Sequence, residues 1–154
     1  MYRLIKDFNM RVLFIFMLTL LSITACTRST DQDTQGFDAK AKKQIWTLFK
    51  MTGNTLNSET TGNSMAFQEV YELYHNGNFV KKRNEEGTIT EAGGTYEIKE
   101  ENNEKALLLT YSKNNKIIGN CTGDATEYLT FVDTIMQSSW WACDGPGLFY
   151  KRSL

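Results

Sequence analysis

The sequence predicts an all-β protein: an antiparallel β-barrel of about eight strands, preceded by a short N-terminal helix and an export leader. Three observations carry this prediction. In Gly94-Thr95-Tyr96-Glu97-Ile98-Lys99, Tyr96 and Ile98 alternate with Thr95, Glu97 and Lys99, the period-two pattern of a half-buried strand. Short turn signals recur, with Asn76-Gly77 the strongest, because hairpin turns favour residues that accept positive φ. No long helical pattern separates the strands, so a locally connected antiparallel sheet fits better than a parallel one. A β-sandwich is the rival architecture.

The first element is the leader, residues 1–25. Arg3, Lys6 and Arg11 against Asp7 form a positive start, and residues 12–21 (VLFIFMLTLL) form an apolar run. That run is half the roughly twenty residues that span a bilayer and has the length of a signal-peptide core. Ile23-Thr24-Ala25-Cys26 then places branched and small residues directly before a cysteine. This string resembles the lipobox of bacterial lipoproteins, which implies cleavage before Cys26 and attachment of acyl chains to it. An uncleaved N-terminal anchor is the alternative. Two or more acyl chains make membrane attachment stable. By the same resemblance, Thr27, in a position where aspartate retains enterobacterial-type lipoproteins at the inner membrane, implies the outer membrane of the cell envelope.

Removing 25 residues from 154 leaves 129, enough for one domain with an ordinary core. The 17 basic and 18 acidic residues become 14 and 17 without the leader, a net charge near −3. No basic face or high pI points to nucleic acid. Lys81-Lys82-Arg83 precedes Glu85-Glu86 and reads as a solvated strand end. With Cys26 lipidated, Cys121 and Cys143 remain as a pair in an exported chain, and a disulfide is the leading reading. A redox-active or metal-binding pair is the alternative, though the two are not in a CxxC arrangement and no histidine lies near either in sequence.

Residues 26–37 begin with the lipidated cysteine and continue as a polar, flexible tether. The barrel domain occupies 38–154. Asp38 is placed to cap a helix over 38–43, and 45–49 (IWTLF) has strand composition. Residues 53–63 (GNTLNSETTGN) read as a long loop. Strands are expected over 66–74 and 79–83 around the Asn76-Gly77 turn, then over 94–99, 106–111, 117–119, 127–132, 135–141 and 148–152. The tetrad Asp144-Gly145-Pro146-Gly147 holds the only proline and predicts a rigid corner between the last two, with glycine supplying positive φ.

Trp46-x-Leu48, Tyr74-x-Asn76-Gly77-x-Phe79, Gly94-Thr95-Tyr96, Cys143-Asp144-Gly145-Pro146-Gly147 and Tyr150-Lys151-Arg152 together resemble the lipocalin-like lipoproteins common in Bacteroidetes-type genomes. The match runs over residues 44–153. It implies a lipocalin-like barrel closed at one end by Trp46 of the first strand against Arg152 of the last, through a cation–π contact of about 0.5 to 2 kcal/mol. Lipocalins carry glycine two residues before that tryptophan; here the position is Gln44.

An eight-stranded barrel is filled by side chains or holds one small ligand. If Tyr96 and Ile98 face inward, Leu107, Leu109, Tyr111, Tyr71, Phe79, Leu129 and Phe131 join them around a small hydrophobic ligand. The alternative is an envelope structural or protein-interaction module with a solid core and no ligand, its binding surface lying around an outward tryptophan and the 53–63 loop. Trp140 and Trp141 are adjacent, so on a strand one faces in and one out. Glu69, Glu72 and Glu127 fall on strands, to pair with lysines or face each other. The single His75 sits in the hairpin turn. No nucleophile motif, phosphate loop or histidine cluster is present, so no catalytic residue, metal ligand or cofactor is implied and an enzyme is not expected.

Overall fold

In the computed structural model, residues 36–101 and 104–153 are described. The leader, Cys26 and the tether up to residue 35 lie outside the described residues. Nine strands follow one another: β1 (Lys43–Thr52), β2 (Thr60–Thr61), β3 (Gln68–Tyr74), β4 (Asn78–Glu85), β5 (Thr88–Glu101), β6 (Glu104–Tyr111), β7 (Thr126–Val132), β8 (Ile135–Ser138) and β9 (Gly147–Ser153). All pairings are antiparallel in the order β1-β3-β4-β5-β6-β7-β8-β9, and β9 pairs back onto β1, so eight strands close a barrel. The two-residue β2 sits on the outer edge of β1.

Period two sets the inside. Trp46 and Leu48 of β1, Glu69, Tyr71 and Leu73 of β3, Phe79, Lys81 and Arg83 of β4, Leu107, Leu109 and Tyr111 of β6, and Leu148 and Tyr150 of β9 are all buried. Cross-strand partners share a face, as Tyr71 with Lys81 and Leu48 with Tyr150. The long β5 passes from pairing with β4 to pairing with β6 around Gly94, where an added Cβ would lie 2.0 Å from the Thr110 carbonyl oxygen. Only glycine lets β5 and β6 approach this closely there.

Several local expectations are corrected. The expected helix over 38–43 is absent: residues 38–42 form a turn and Lys43 opens β1, with Asp38 Oδ1 accepting from Lys40 N at 2.9 Å and Ala41 N bonding to Asp38 O. Gln44 secures that turn, donating to Asp38 O and accepting from Asp38 N, a task glycine cannot perform. At the Asn76-Gly77 hairpin only Gly77 has positive φ, so the turn spans three residues rather than being a two-residue type I′ turn. Residues 117–119 form no strand. Asn115 Oδ1 instead accepts from Ile117 N, and the segment tucks buried Ile117 into the barrel end. The expected strand over 135–141 stops at Ser138, whose side chain caps a 3-10 turn, Ser139–Cys143, that carries both tryptophans. In the 144–147 corner Asp144, not a glycine, takes the positive φ.

The two ends of the barrel differ. At one, the chain enters: Phe37 stacks on Phe131 at 5.2 Å, Phe131 on Trp46 at 5.4 Å, and Arg152 Nη1 donates to Gly36 O at 2.9 Å. Trp46 and Arg152 are direct cross-strand partners, as expected, but no cation–π contact joins them among the described residues. Trp46 meets a phenylalanine and Arg152 a backbone carbonyl. The Trp46 Nε1–H is buried without an acceptor. Gly36 and Phe37, assigned to the tether, are packed against the barrel. The other end carries residues 53–67, 112–125 and 139–146.

On the outer face of β3, Glu72 accepts from Lys43 Nζ at 2.8 Å and from the Tyr74 hydroxyl. These hydrogen bonds, the one from Lys43 first, hold its carboxyl down at about 2. A depressed carboxyl stabilises the fold above its unfolded value near 4.5, and that contribution is lost as pH falls through about 2. Glu72→Gln is therefore expected to cost about 1 kcal/mol or less at pH 7, the pair being partly solvated, and much less at pH 2, where the carboxyl is half protonated. Thermal melts of both proteins at the two pH values check this; an equal gap at both contradicts it.

Candidate functional site

Inside the barrel, β3, β4 and β7 bring together two carboxylates and two cations. Lys81 Nζ lies 2.8 Å from Glu127 Oε1 and 3.1 Å from Glu69 Oε1, and Arg83 Nε donates to Glu69 Oε2 at 2.6 Å. Three tyrosines complete the set. Tyr71 donates to Glu127 Oε2 at 2.7 Å, Tyr111 to the same oxygen, and Tyr150 to Glu69 Oε1 at 2.6 Å. Gly119 N donates to Glu127 Oε1 at 2.8 Å, and Arg83 Nη2 reaches Ile117 O at 3.3 Å, so the 112–125 loop is tied to the cluster from the barrel end. Lys81 also lies 4.9 Å from the centre of the Tyr71 ring.

Two negative and two positive side chains cancel, and each carboxylate accepts several bonds, which is what ions need away from water. Burial, then the neighbouring carboxylates, pushes the Tyr71, Tyr111 and Tyr150 hydroxyls well above 10 and keeps them as donors. Lys81, Tyr71 and Tyr150 are 0% exposed and Glu69 and Glu127 1%. The cluster ties β3, β4, β6, β7 and β9 together around a charge-balanced polar centre.

This places the predicted residues. Glu69 and Glu127 face each other across Lys81; Glu72 lies outside. Lys81 and Arg83, read as a solvated strand end, point inward, and of that triplet only Lys82 is on the outer wall. The signal was Phe79-x-Lys81-x-Arg83, which keeps the inward phase while hydropathy calls for solvent. Of the expected ligand-lining residues, Tyr71, Phe79, Leu107, Leu109, Tyr111 and Leu129 meet in the interior, where they pack on one another and on the ion cluster; Phe79 and Tyr111 cross edge to face at 4.8 Å. Tyr96 is at the margin, donating to Tyr74 O at 2.9 Å. Ile98 shares the register of Leu107 but is 43% exposed, beyond the packed interior. His75 is exposed, with Nδ1 3.1 Å from Ala39 O, and no metal-binding cluster occurs among the described residues.

Cys121 and Cys143 form a disulfide that joins the 112–125 loop to the 3-10 turn. Trp140 is packed between that loop and the corner. A Cβ on Gly119 would meet its ring at 2.8 Å and one on Gly145 at 2.4 Å, so both glycines are sites of close approach. Trp140 is half-buried against the core while Trp141 is 56% exposed, so one ring in and one out holds on a 3-10 turn.

Beside Trp141, on the outer wall where β8, β9 and β1 meet the 53–56 loop, lies an open groove of about 570 Å³. Its apolar residues are Trp141, Phe149 and the 96% exposed Leu56; its polar ones include Asn54, Thr52 and Gln137. The outward tryptophan and the long loop, far apart in sequence, line one site.

Among the described residues, fold and site define a closed up-and-down antiparallel barrel with a filled, charge-balanced interior and an open groove beside Trp141. Comparison of the chain with protein-family models, curated proteins and solved structures finds no match.

Proposed function

We propose that this protein is a lipid-anchored, non-catalytic binding module of the cell envelope, held through Cys26 at the outer membrane, with a lipocalin-like barrel that binds at the groove beside Trp141 rather than in its interior. The observation that carries this reading is the contrast between the two places. Inside, the side chains that would line a ligand cavity are at or near zero exposure and close around paired ions. Outside, Trp141 and Leu56 remain exposed in a groove of the size small molecules occupy. A hydrophobic ligand in the interior would have to displace the packed tyrosines and strand Lys81 or its carboxylates, at a cost of several kcal/mol.

Native mass spectrometry of the processed protein and its Trp141→Ala variant, purified gently from a bacterial host, tests both parts. The expected spectrum has acylated Cys26 as the first residue, and any retained ligand mass is lost in Trp141→Ala. A stoichiometric mass that Trp141→Ala still retains and that leaves only on denaturation would return the ligand to the interior, and an N-terminus at Met1 or an unmodified Cys26 would sink the anchor.

A further inference from the structure

Resting on the reading that the groove beside Trp141 is the binding site, we propose that its ligand is a neutral saccharide. Among the described residues, no charged side chain lines the groove. A lipid headgroup, a phosphate or a free carboxylate would find no counter-ion there, and the nearby Lys50, 4.4 Å from the Phe149 ring centre, is already paired with Glu59 at 3.4 Å.

The polar residues that do line it are amides and hydroxyls. Gln137 is half-buried and its side chain makes no hydrogen bond among the described residues, so both its donors and its acceptor are available. Asn54 spends one amide hydrogen on Asp144 O at 3.2 Å, and its Oδ1 remains to accept. Thr52 adds a hydroxyl. Neutral groups that both donate and accept are what a polyol requires, whereas an alkyl chain seated here would leave these groups desolvated and unpaired, at about 1–3 kcal/mol each.

Trp141 supplies the remaining requirement. A pyranose has a C–H face and a hydroxyl rim, and a broad aromatic ring stacks on the former while amides bond the latter. The ring is borne on a turn closed by the Cys121–Cys143 disulfide and capped by Ser138 Oγ, which accepts from Trp140 N at 3.2 Å. A platform held in place this way loses little freedom when it binds.

The test uses the processed full chain in detergent, probed on a printed array of neutral and acidic glycans. The best neutral oligosaccharide is then titrated by calorimetry, with myristate as the apolar comparison. The expected result is saturable binding of a neutral glycan that weakens about tenfold or more in Trp141→Ala and several-fold in Gln137→Ala, with melting temperatures unchanged, since both side chains lie on the outer wall. Neutral-glycan binding that survives in Trp141→Ala, or no neutral-glycan signal, overturns the proposal. If myristate or only acidic glycans bind and Trp141→Ala abolishes that, the groove stands as the site and the saccharide assignment falls. If no probe responds to Trp141→Ala, the groove itself falls with it.

Discussion

Lys81→Met lowers the free energy of unfolding by about 3–5 kcal/mol, a large part of the 5–15 kcal/mol that a domain commonly has. The ammonium is the bridge between the two interior carboxylates and is 0% exposed, so no water can replace it. Methionine fills much the same volume but leaves Glu69 with Arg83 as its one cation beside the Tyr150 hydroxyl, and Glu127 with only neutral donors, the Tyr71 and Tyr111 hydroxyls and Gly119 N. One uncompensated negative charge then sits in the interior. The double variant Lys81→Met with Glu127→Gln restores balance, because Glu69 and Arg83 still pair, and it is expected to be more stable than Lys81→Met alone by at least 1 kcal/mol. Urea titrations of the wild type, both single variants and the double variant decide it. Additive losses would show that the charges do not act as a unit.

Removing the disulfide costs about 3 kcal/mol on the chain-entropy view of a loop of this length, 22 residues from Cys121 to Cys143. Both cysteines are exposed, so reductant reaches them without unfolding the barrel. The urea midpoint should fall on adding reductant and fall equally in Cys121→Ala with Cys143→Ala, which reductant then leaves unchanged. Identical midpoints with and without reductant would refute the contribution. The bond does not close the barrel wall. It holds the 112–125 loop against the turn bearing Trp140, so its loss is expected to loosen that end first, visible as faster amide exchange at Gly119 and Trp140 than in the strands.

The barrel was legible because its strands alternate, and because turn residues mark nearly every reversal. What escaped was the content of the interior. Period-two reading assumes that a charged residue marks the solvent face, and Glu69, Lys81, Arg83 and Glu127 reverse that assumption by neutralising one another across three strands. Each seen alone belongs outside; only the pairing, which spans residues 69 to 127, makes them inside residues. Ile117 was misread for a related reason: an apolar pair in a strand-like context is held instead by the Asn115 side chain and by Arg83 from across the barrel. The groove was half legible. An outward tryptophan and a long loop were both visible in the sequence, and the register that places β1 between β9 and β2 brings them together.

The seam between β1 and β9 has its own consequence for how this chain must be made. Apart from β1 with β3, where β2 and its loop intervene, each neighbouring pair in the wall from β1 to β9 is consecutive in sequence and can zip as it emerges. The seam instead joins Lys43–Thr52 to Gly147–Ser153, a closure over roughly 95 intervening residues, with a register shift between Leu48 and Lys50 to accommodate it. Until β9 pairs with β1, the sheet has two bare edges, the kind that recruit strands from other chains. Closure of the barrel therefore waits on the β1–β9 pairing, and the slow, collision-prone interval in the life of this protein is the one just before that seam is made.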